Sequence, residues 1–544
     1  MSKLRICLPA RLPALLLAGA AALALASCAT YPSGTYEDYV GPPKGNGQAP
    51  APAKPAPVSA APQLPATGPV EISVNDAILL TLGNNEAFRV ERFGPSIAGT
   101  FVDELRAAFD PIFTAGISAS RTTVAATSTK GLVTSTVRTL AENVGLTQFL
   151  PTGTTVGLTL AGTQSRFTPG GPLSSTGVGL SVTQALLQGF GVDVNLATLR
   201  QARIDVETSQ YVLRGFAEAL VAQAEESYWD FLLAQREIEI FSQAVRLAQS
   251  QLDQTQEMIR IGRLAKTEIV SAQAEVALRQ QDLIGGRTAL ETARLNMVRL
   301  INPQGDRPWS RQIVLKDQPA MAEDELGDVE AHVATGLRMR PDLNEARLQV
   351  QRGDLDVVRT TNGLLPQLDA FLTLGKTGYS RSFTDSVEDI PGEAGSNAAV
   401  GLALQVPIGN RAPMARRSRA VFNLDQAKAA VENFAQLVQV DVRSAYVTVA
   451  NAREQVTAAT ATRKLQEENL KAEQEKLRVG RSTTLQVAQV QDALLASQIA
   501  EVQAIIAHMK ALTELYRLEG SLLVRRSIAA PGSQPVDITR PRQW

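Results

Sequence analysis

Few residues in this 544-residue chain are equipped for covalent or metal chemistry, since it has only two cysteines and two histidines. Cys28 closes Leu25-Ala26-Ser27-Cys28, after a basic segment with Lys3, Arg5 and Arg11 and an apolar run from Leu12 to Ala26. That order is a secretory signal. Its end looks like a bacterial lipobox, where the cysteine is acylated and becomes the first residue of the mature chain. Ala29 follows, not the Asp that tends to hold lipoproteins in the inner membrane, which favours the outer membrane. The competing reading is an ordinary cleavage site beside an incidental cysteine. Cys7 lies in the removed segment, so the mature chain keeps one cysteine and can form no intramolecular disulfide.

Catalysis finds no support elsewhere. His332 and His508 are far apart and lack carboxylate or cysteine partners at ligand spacing, so each reads as an ordinary polar residue. No GxxxxGK[ST] or GxGxxG precedes a helix, and the glycines from Gly153 to Gly162 fall in strand or loop. No cofactor or metal is expected, and energy for any transport must come from a partner. The net charge is −1, or −4 once residues 1–27 are removed, which offers no electrostatic case for nucleic acid.

The elements that would position a site come in two copies. A shift of 218 residues places Arg260-Ile261-Gly262-Arg263 on Arg478-Val479-Gly480-Arg481, Gln273 on Gln491, and Tyr228 on Tyr446. Upstream, Asp110-Pro111 matches Leu365-Pro366 only with a shift of 255, so the first half is 37 residues longer. The extra length lies near 121–176, rich in Thr, Ser and Gly, and reads as a longer loop.

Each half starts with a helix-like stretch and then alternates with period two. Phe113, Ala115, Ile117 and Ala119 share a face, as do Val178, Leu180 and Val182. In the second half Leu368, Ala370, Leu372 and Leu374 do the same, followed by Val400, Leu402, Leu404 and Val406. This predicts four strands per chain of about ten residues, long enough to cross a bilayer at a tilt. Thr154 to Thr163 also alternates without an assigned place. A soluble sheet with one wet face fits the alternation equally well. The mature chain has no 18-residue apolar run, so an outer-membrane protein that spans must do so as a barrel. Four strands cannot close one, so several copies must share it, and three would supply twelve.

From about Asp193 to Ile261 there is no proline and one glycine, Gly215. At ~1.5 Å per residue such a helix is on the order of 100 Å long. Phe231, Ile238, Val245, Leu252 and Ile259 recur every seven residues. Their counterparts are Val449, Val456, Arg463, Leu470 and Leu477, with Arg463 the one exception. A second seam runs through Leu233, Ile240, Leu247 and Ile261. Strict sevens mean coiled-coil packing, and two seams mean a neighbour on each side. Helices packed on two sides close into a tube, although helices alone would also suit a long antiparallel bundle.

Taken together, the repeat, the lipobox and the strand pairs leading into long helices resemble the TolC-like outer-membrane efflux proteins. So do Leu186-Leu187-Gln188-Gly189-Phe190-Gly191 and Arg478-Val479-Gly480-Arg481-Ser482-Thr483-Thr484-Leu485. The resemblance covers about 71–526. It implies a mainly α chain with a transmembrane β-barrel, in a homotrimer with a twelve-strand barrel above a twelve-helix tunnel. The expected partners are a periplasmic adaptor protein, an inner-membrane transporter and outer-membrane lipid. The domains are then a signal (1–27), a lipidated Pro/Ala-rich tether (28–70), a first repeat (71–303), a linker (304–330), a second repeat (331–526) and a flexible tail (527–544). The resemblance places Gly262, Arg263, Gly480, Arg481 and Ser482 at periplasmic tips that touch the adaptor. It places Glu268, Ser271, Gln486 and Gln489 at the tunnel mouth, where better-known members carry two carboxylates at the positions of the glutamines. The function implied is a passive exit duct, for small molecules or for secreted proteins. The alternative is a lipoprotein scaffold without a lumen.

Overall fold

The computed structural model describes residues 69–128, 131–303, 308–318, 326–391, 395–479 and 481–537. The signal segment, Cys28, nearly all of the tether and Gly480 lie outside the described residues. The chain begins with β1 (Val70–Ile72), α1 (Val74–Asn84), α2 (Glu86–Glu91) and α3 (Phe93–Arg106). A capping box between Ser73 and Asp76 starts α1 by satisfying two otherwise unpaired backbone amides. Four strands follow: β2 (Ile112–Ser128), β3 (Gly131–Leu150), β4 (Thr154–Thr168) and β5 (Pro172–Ala185). They lead through α4 (Val192–Asn195) into α5 (Ala197–Arg260), which returns as α6 (Glu268–Ile301). The second half runs β6 (Ile313–Leu315), α7 (Val329–Met339), α8 (Pro341–Asn362), β7 (Gln367–Ser380), α9 (Phe383–Glu388), β8 (Ser396–Gln405), α10 (Arg411–Arg478), α11 (Thr484–Leu518) and α12 (Leu522–Arg525). Among the described residues no helix is long and apolar enough to cross a membrane.

The sheet corrects the strand count. It has six antiparallel strands in the order β2-β3-β4-β5-β7-β8, not four. The stretch near 121–176 is not a loop. It extends β2 and β5 and inserts the hairpin β3–β4, and Thr154–Thr163 belongs to β4. Thr, Ser and Gly alternate too weakly to mark a strand alone, and pairing with β2 and β5 supplies the missing specification. Inserting two strands keeps every neighbour antiparallel and returns the chain to the end where α5 starts. That end is stitched together. Asn195 donates to the carbonyls of Pro151 (3.0 Å), Gly189 (2.9 Å) and Gly191 (3.1 Å), tying the β3–β4 turn to the segment before α5. Gly153 stands there at φ 87°, with the Gly189 carbonyl where a Cβ would sit.

Both long helices form as the heptads predict, with 64 residues in α5 and 68 in α10. Near the sheet, α5 packs between α3 and α8, and α8 packs on α10. Toward the tips, α5 packs between α6 and α11, and α11 on α10. Midway lies a core of Val70, Ile72, Tyr228, Phe231, Met297 and Ile301, with a second core of Val333, Leu343, Val438, Val442 and Leu515. Arg463, the heptad exception, is held by Glu501 of α11 at 2.5 Å.

The described parts of the linker and tail are more ordered than composition suggests. Within 304–330, β6 pairs in parallel with β1, and Asp317 accepts from Val74 N (2.7 Å) and the Tyr228 hydroxyl (2.9 Å). The tail reading of 527–544 fails as far as 537. Val536 is buried against Ile204, Tyr211 and Leu348, while Arg214 donates to Gly532 O at 3.2 Å and Gln351 to Asp537 O at 3.0 Å. Burial of Val536, the packing of Ile528 and Ala530 on the midway core and a few backbone bonds offset the ordering entropy of the segment. His332 gains a carboxylate partner from 187 residues away, Glu519 at 2.5 Å.

Candidate functional site

Two regions could bear function: the faces of the sheet and the tips of the long helices. With unbroken registers, alternate residues share a face across all six strands. One face carries Phe113, Ile117, Leu140, Val144, Leu146, Leu158, Leu160, Val178, Leu180, Leu372, Leu374, Val400, Leu402 and Leu404. The other carries Thr114, Gly116, Ser118, Asn143, Gly145, Thr159, Gly177, Gly179, Thr373, Gly375 and Gly401. The apolar face is exposed over most of its width, with Val400 83% and Ile117 73% accessible, while α9 packs on it over Gly162 and Thr176. An apolar face beside a face of small polar residues is what a sheet between lipid and water requires.

At the first tip Gly262 adopts φ 76°, and Arg263 N donates to Met258 O at 2.9 Å, a glycine-type helix stop. The second tip repeats the bond, Arg481 N to Lys476 O at 2.8 Å, while Gly480 itself lies outside the described residues. Gly262, Arg263 and Arg481 are exposed and Ser482 is half-buried.

The four residues expected at the tunnel mouth are not equivalent. Gln486 is spent locally: its side-chain oxygen accepts from Thr483 N (3.2 Å) and its backbone N donates to Thr483 Oγ1 (3.2 Å), a capping box that starts α11. Glu268 accepts from Thr484 Oγ1 at 3.0 Å, joining the first tip to the second. Ser271 and Gln489 are exposed. Above them, Arg279 bridges Glu275 (2.6 Å) and Asp282 (2.9 Å) on its own helix and Asp492 on α11. Burial, then the neighbouring Glu275 charge, pushes the Asp492 carboxyl above its usual range. This cluster was missed in the sequence. Its one signal was acids three and four residues from Arg279, which did not reveal the partner 213 residues away.

A sheet with a lipid face and a wet face, set on antiparallel helices on the order of 100 Å long, defines a protomer of an outer-membrane channel with a helical conduit. Comparisons with known proteins agree. The pattern of the outer membrane efflux protein family matches residues 78–303 and 335–521, and the chain belongs to that family. The outer membrane efflux protein BepC of Brucella suis is 26% identical over 357 residues, covering 62% of this chain and 70% of BepC. The Campylobacter jejuni outer membrane channel CmeC superposes with a TM-score of 0.61 at 14% identity, over 86% of this chain and 87% of CmeC. The open-state MtrE channel of Neisseria gonorrhoeae gives 0.58 at 16% identity, over 82% and 89%. The protein is an outer-membrane efflux channel that extends into the periplasm, and the scaffold reading without a lumen is set aside.

Proposed function

We propose that three copies of this chain close into one lipid-anchored exit duct, with an eighteen-strand barrel in the outer membrane and a twelve-helix tunnel below it. The supporting observation is that sheet and helices are left open at the same two edges. On one side the outer edge of β2 has no partner strand among the described residues, and α2 and α3 expose Val90, Phe93, Ile97 and Phe101. On the other side the outer edge of β8 has no partner strand among the described residues, and α10 exposes Met414, Phe422, Val440 and Val447. An open edge in lipid leaves backbone groups unsatisfied. One head-to-tail contact repeated around a ring covers both edges at once. Because β2 and β8 run in opposite directions, joining them continues the antiparallel pattern.

In this reading Gly262, Arg263, Gly480, Arg481 and Ser482 meet a periplasmic adaptor, which links the duct to an inner-membrane transporter that supplies the energy. Glu268, Ser271, Gln486 and Gln489 lie around the tunnel mouth, and acylated Cys28 fastens each chain to the outer membrane. The lipid anchor favours small-molecule efflux over protein secretion as the cargo class. Native mass measurement and planar-bilayer conductance test the assembly together. Three chains and a steady conductance are expected. A stable membrane-spanning monomer, or a trimer that never conducts, would overturn it.

A further inference from the structure

We propose that Arg121, Arg138 and Arg166, with Thr123, Thr136 and Thr168, form an outward-facing site for the phosphate-bearing headgroup of an outer-leaflet lipid. The inference rests on the reading of the sheet as part of a membrane barrel.

The three arginines sit directly opposite one another on successive strands, since Arg121 pairs with Arg138 and Arg138 with Arg166. One step further from the helices, Thr123 pairs with Thr136 and Thr136 with Thr168. All six share the face of Phe113, Ile117 and Leu146, the face assigned to lipid. Below the arginines that face returns to Ala119 and Leu140. The array therefore lies at the far margin of the apolar band, where headgroups begin.

Like charges placed directly opposite on neighbouring strands destabilise a sheet. Neighbouring strands are ~4.8 Å apart, so the row of three spans about 10 Å. All three arginines are exposed, and among the described residues none forms an ion pair. The acid on the same face of these strands is Glu142, four residues from Arg138 along β3 and therefore ~13 Å away. Three cations held in register with no ion-pair partner among the described residues, the acids Asp385 and Glu388 of α9 on the same face included, are best neutralised by an anion from outside. A guanidinium binds phosphate through two parallel hydrogen bonds. The flanking hydroxyls add donors for further phosphate or sugar oxygens, and Thr123 and Thr136 already stand 3.1 Å apart, oxygen to oxygen. Charge on a lipid-facing strand costs little near the interface and much at the midplane, which fits the placement.

The test uses the full-length assembly in phosphatidylethanolamine nanodiscs carrying either bisphosphorylated lipid A or its fully dephosphorylated form. Native mass spectrometry reads retained lipid, and conductance is recorded on the same preparation. The wild type should retain the phosphorylated form about tenfold better, and R121Q/R138Q/R166Q should reduce that preference to about twofold or less. Excess inorganic phosphate should not displace the lipid, and displacement would assign the site to free phosphate instead. Equal retention of both lipids by the wild type overturns the proposal even if the triple variant fails to fold. Normal conductance without lipid preference sinks this inference alone, whereas lost insertion sinks the barrel reading beneath it.

Discussion

Between its short and long helices the first half of the chain threads four strands, β2 to β5, and the second half threads two, β7 and β8. Below the sheet the halves barely differ: the long helices have 64 and 68 residues and the return helices 34 and 35. The difference shows what each part tolerates. A meander accepts an extra hairpin because two strands leave the chain at the end where it entered, with every pair still antiparallel. A helical hairpin accepts no such change on one side, because its tip must stay level with its neighbour. Here Glu268 of one tip is bonded to Thr484 of the other.

The largest expected effect comes from erasing that asymmetry. Deleting β3 and β4 and closing β2 onto β5 should leave four strands per chain and a twelve-strand barrel. Barrel diameter grows roughly linearly with strand number, so the width should fall by about a third. Electron cryo-microscopy reads the width directly. An unchanged width would mean that the hairpin does not line the barrel.

A second contrast lies at the proposed mouth, where Glu268 and Ser271 stand at the positions that Gln486 and Gln489 occupy in the other half. Three chains would turn one acid into a ring of three, which holds multivalent cations in a narrow site. With Glu268 tied to Thr484 and Gln486 consumed in a cap, wild-type block by trivalent cations should be weak. Gln489→Asp should strengthen block about tenfold in bilayer recordings. Strong wild-type block abolished by Glu268→Gln would instead make Glu268 the ring.

At matched positions of α5 and α10 stand Glu218, buried, and Gln436, exposed. Burial pushes the Glu218 carboxyl up to about 7, against the pull of Arg214 at 3.2 Å. A folded-state value above the ordinary 4.5 means the folded protein binds more protons between the two. Stability from this group is therefore full below pH ~4.5 and lost as pH rises through about 7, on the order of 3 kcal/mol per chain. Glu218→Gln should flatten melting temperature against pH in that window, whatever its effect on absolute stability. An unchanged slope would show that Glu218 is already ionised.

The smallest effect compares the two starts after the tips. Thr483 makes a capping box with Gln486, whereas Thr267 makes no side-chain cap bond. Thr483→Ala should cost about 1 kcal/mol and Thr267→Ala close to none. Hydrogen exchange in the first turns of α11 and α6 would register the difference. Equal effects would mean the tips are held by contacts other than their caps.

The sequence by itself determined what depends on spacing along the chain. Sevens in α5 and α10 set the helices and the buried seam, twos in β2, β5, β7 and β8 set the two faces, and Gly262 set a helix stop. Each is a local period or a backbone constraint, so it can be read one residue after another. Only the tertiary structure decided which segments meet. It converted a Thr/Ser/Gly-rich stretch into β3 and β4, because those strands are specified by partners on either side more than by their own alternation. Val536 and Gly532 became docked by contacts with α5 and α8, although no helical or strand period marks their own segment. Glu519 came to His332 from 187 positions away, and Asp492 to Arg279 from 213. Ion pairs and strand registers across such separations leave no periodic trace in the chain, because the distance between partners is set by the packing of everything that lies between them.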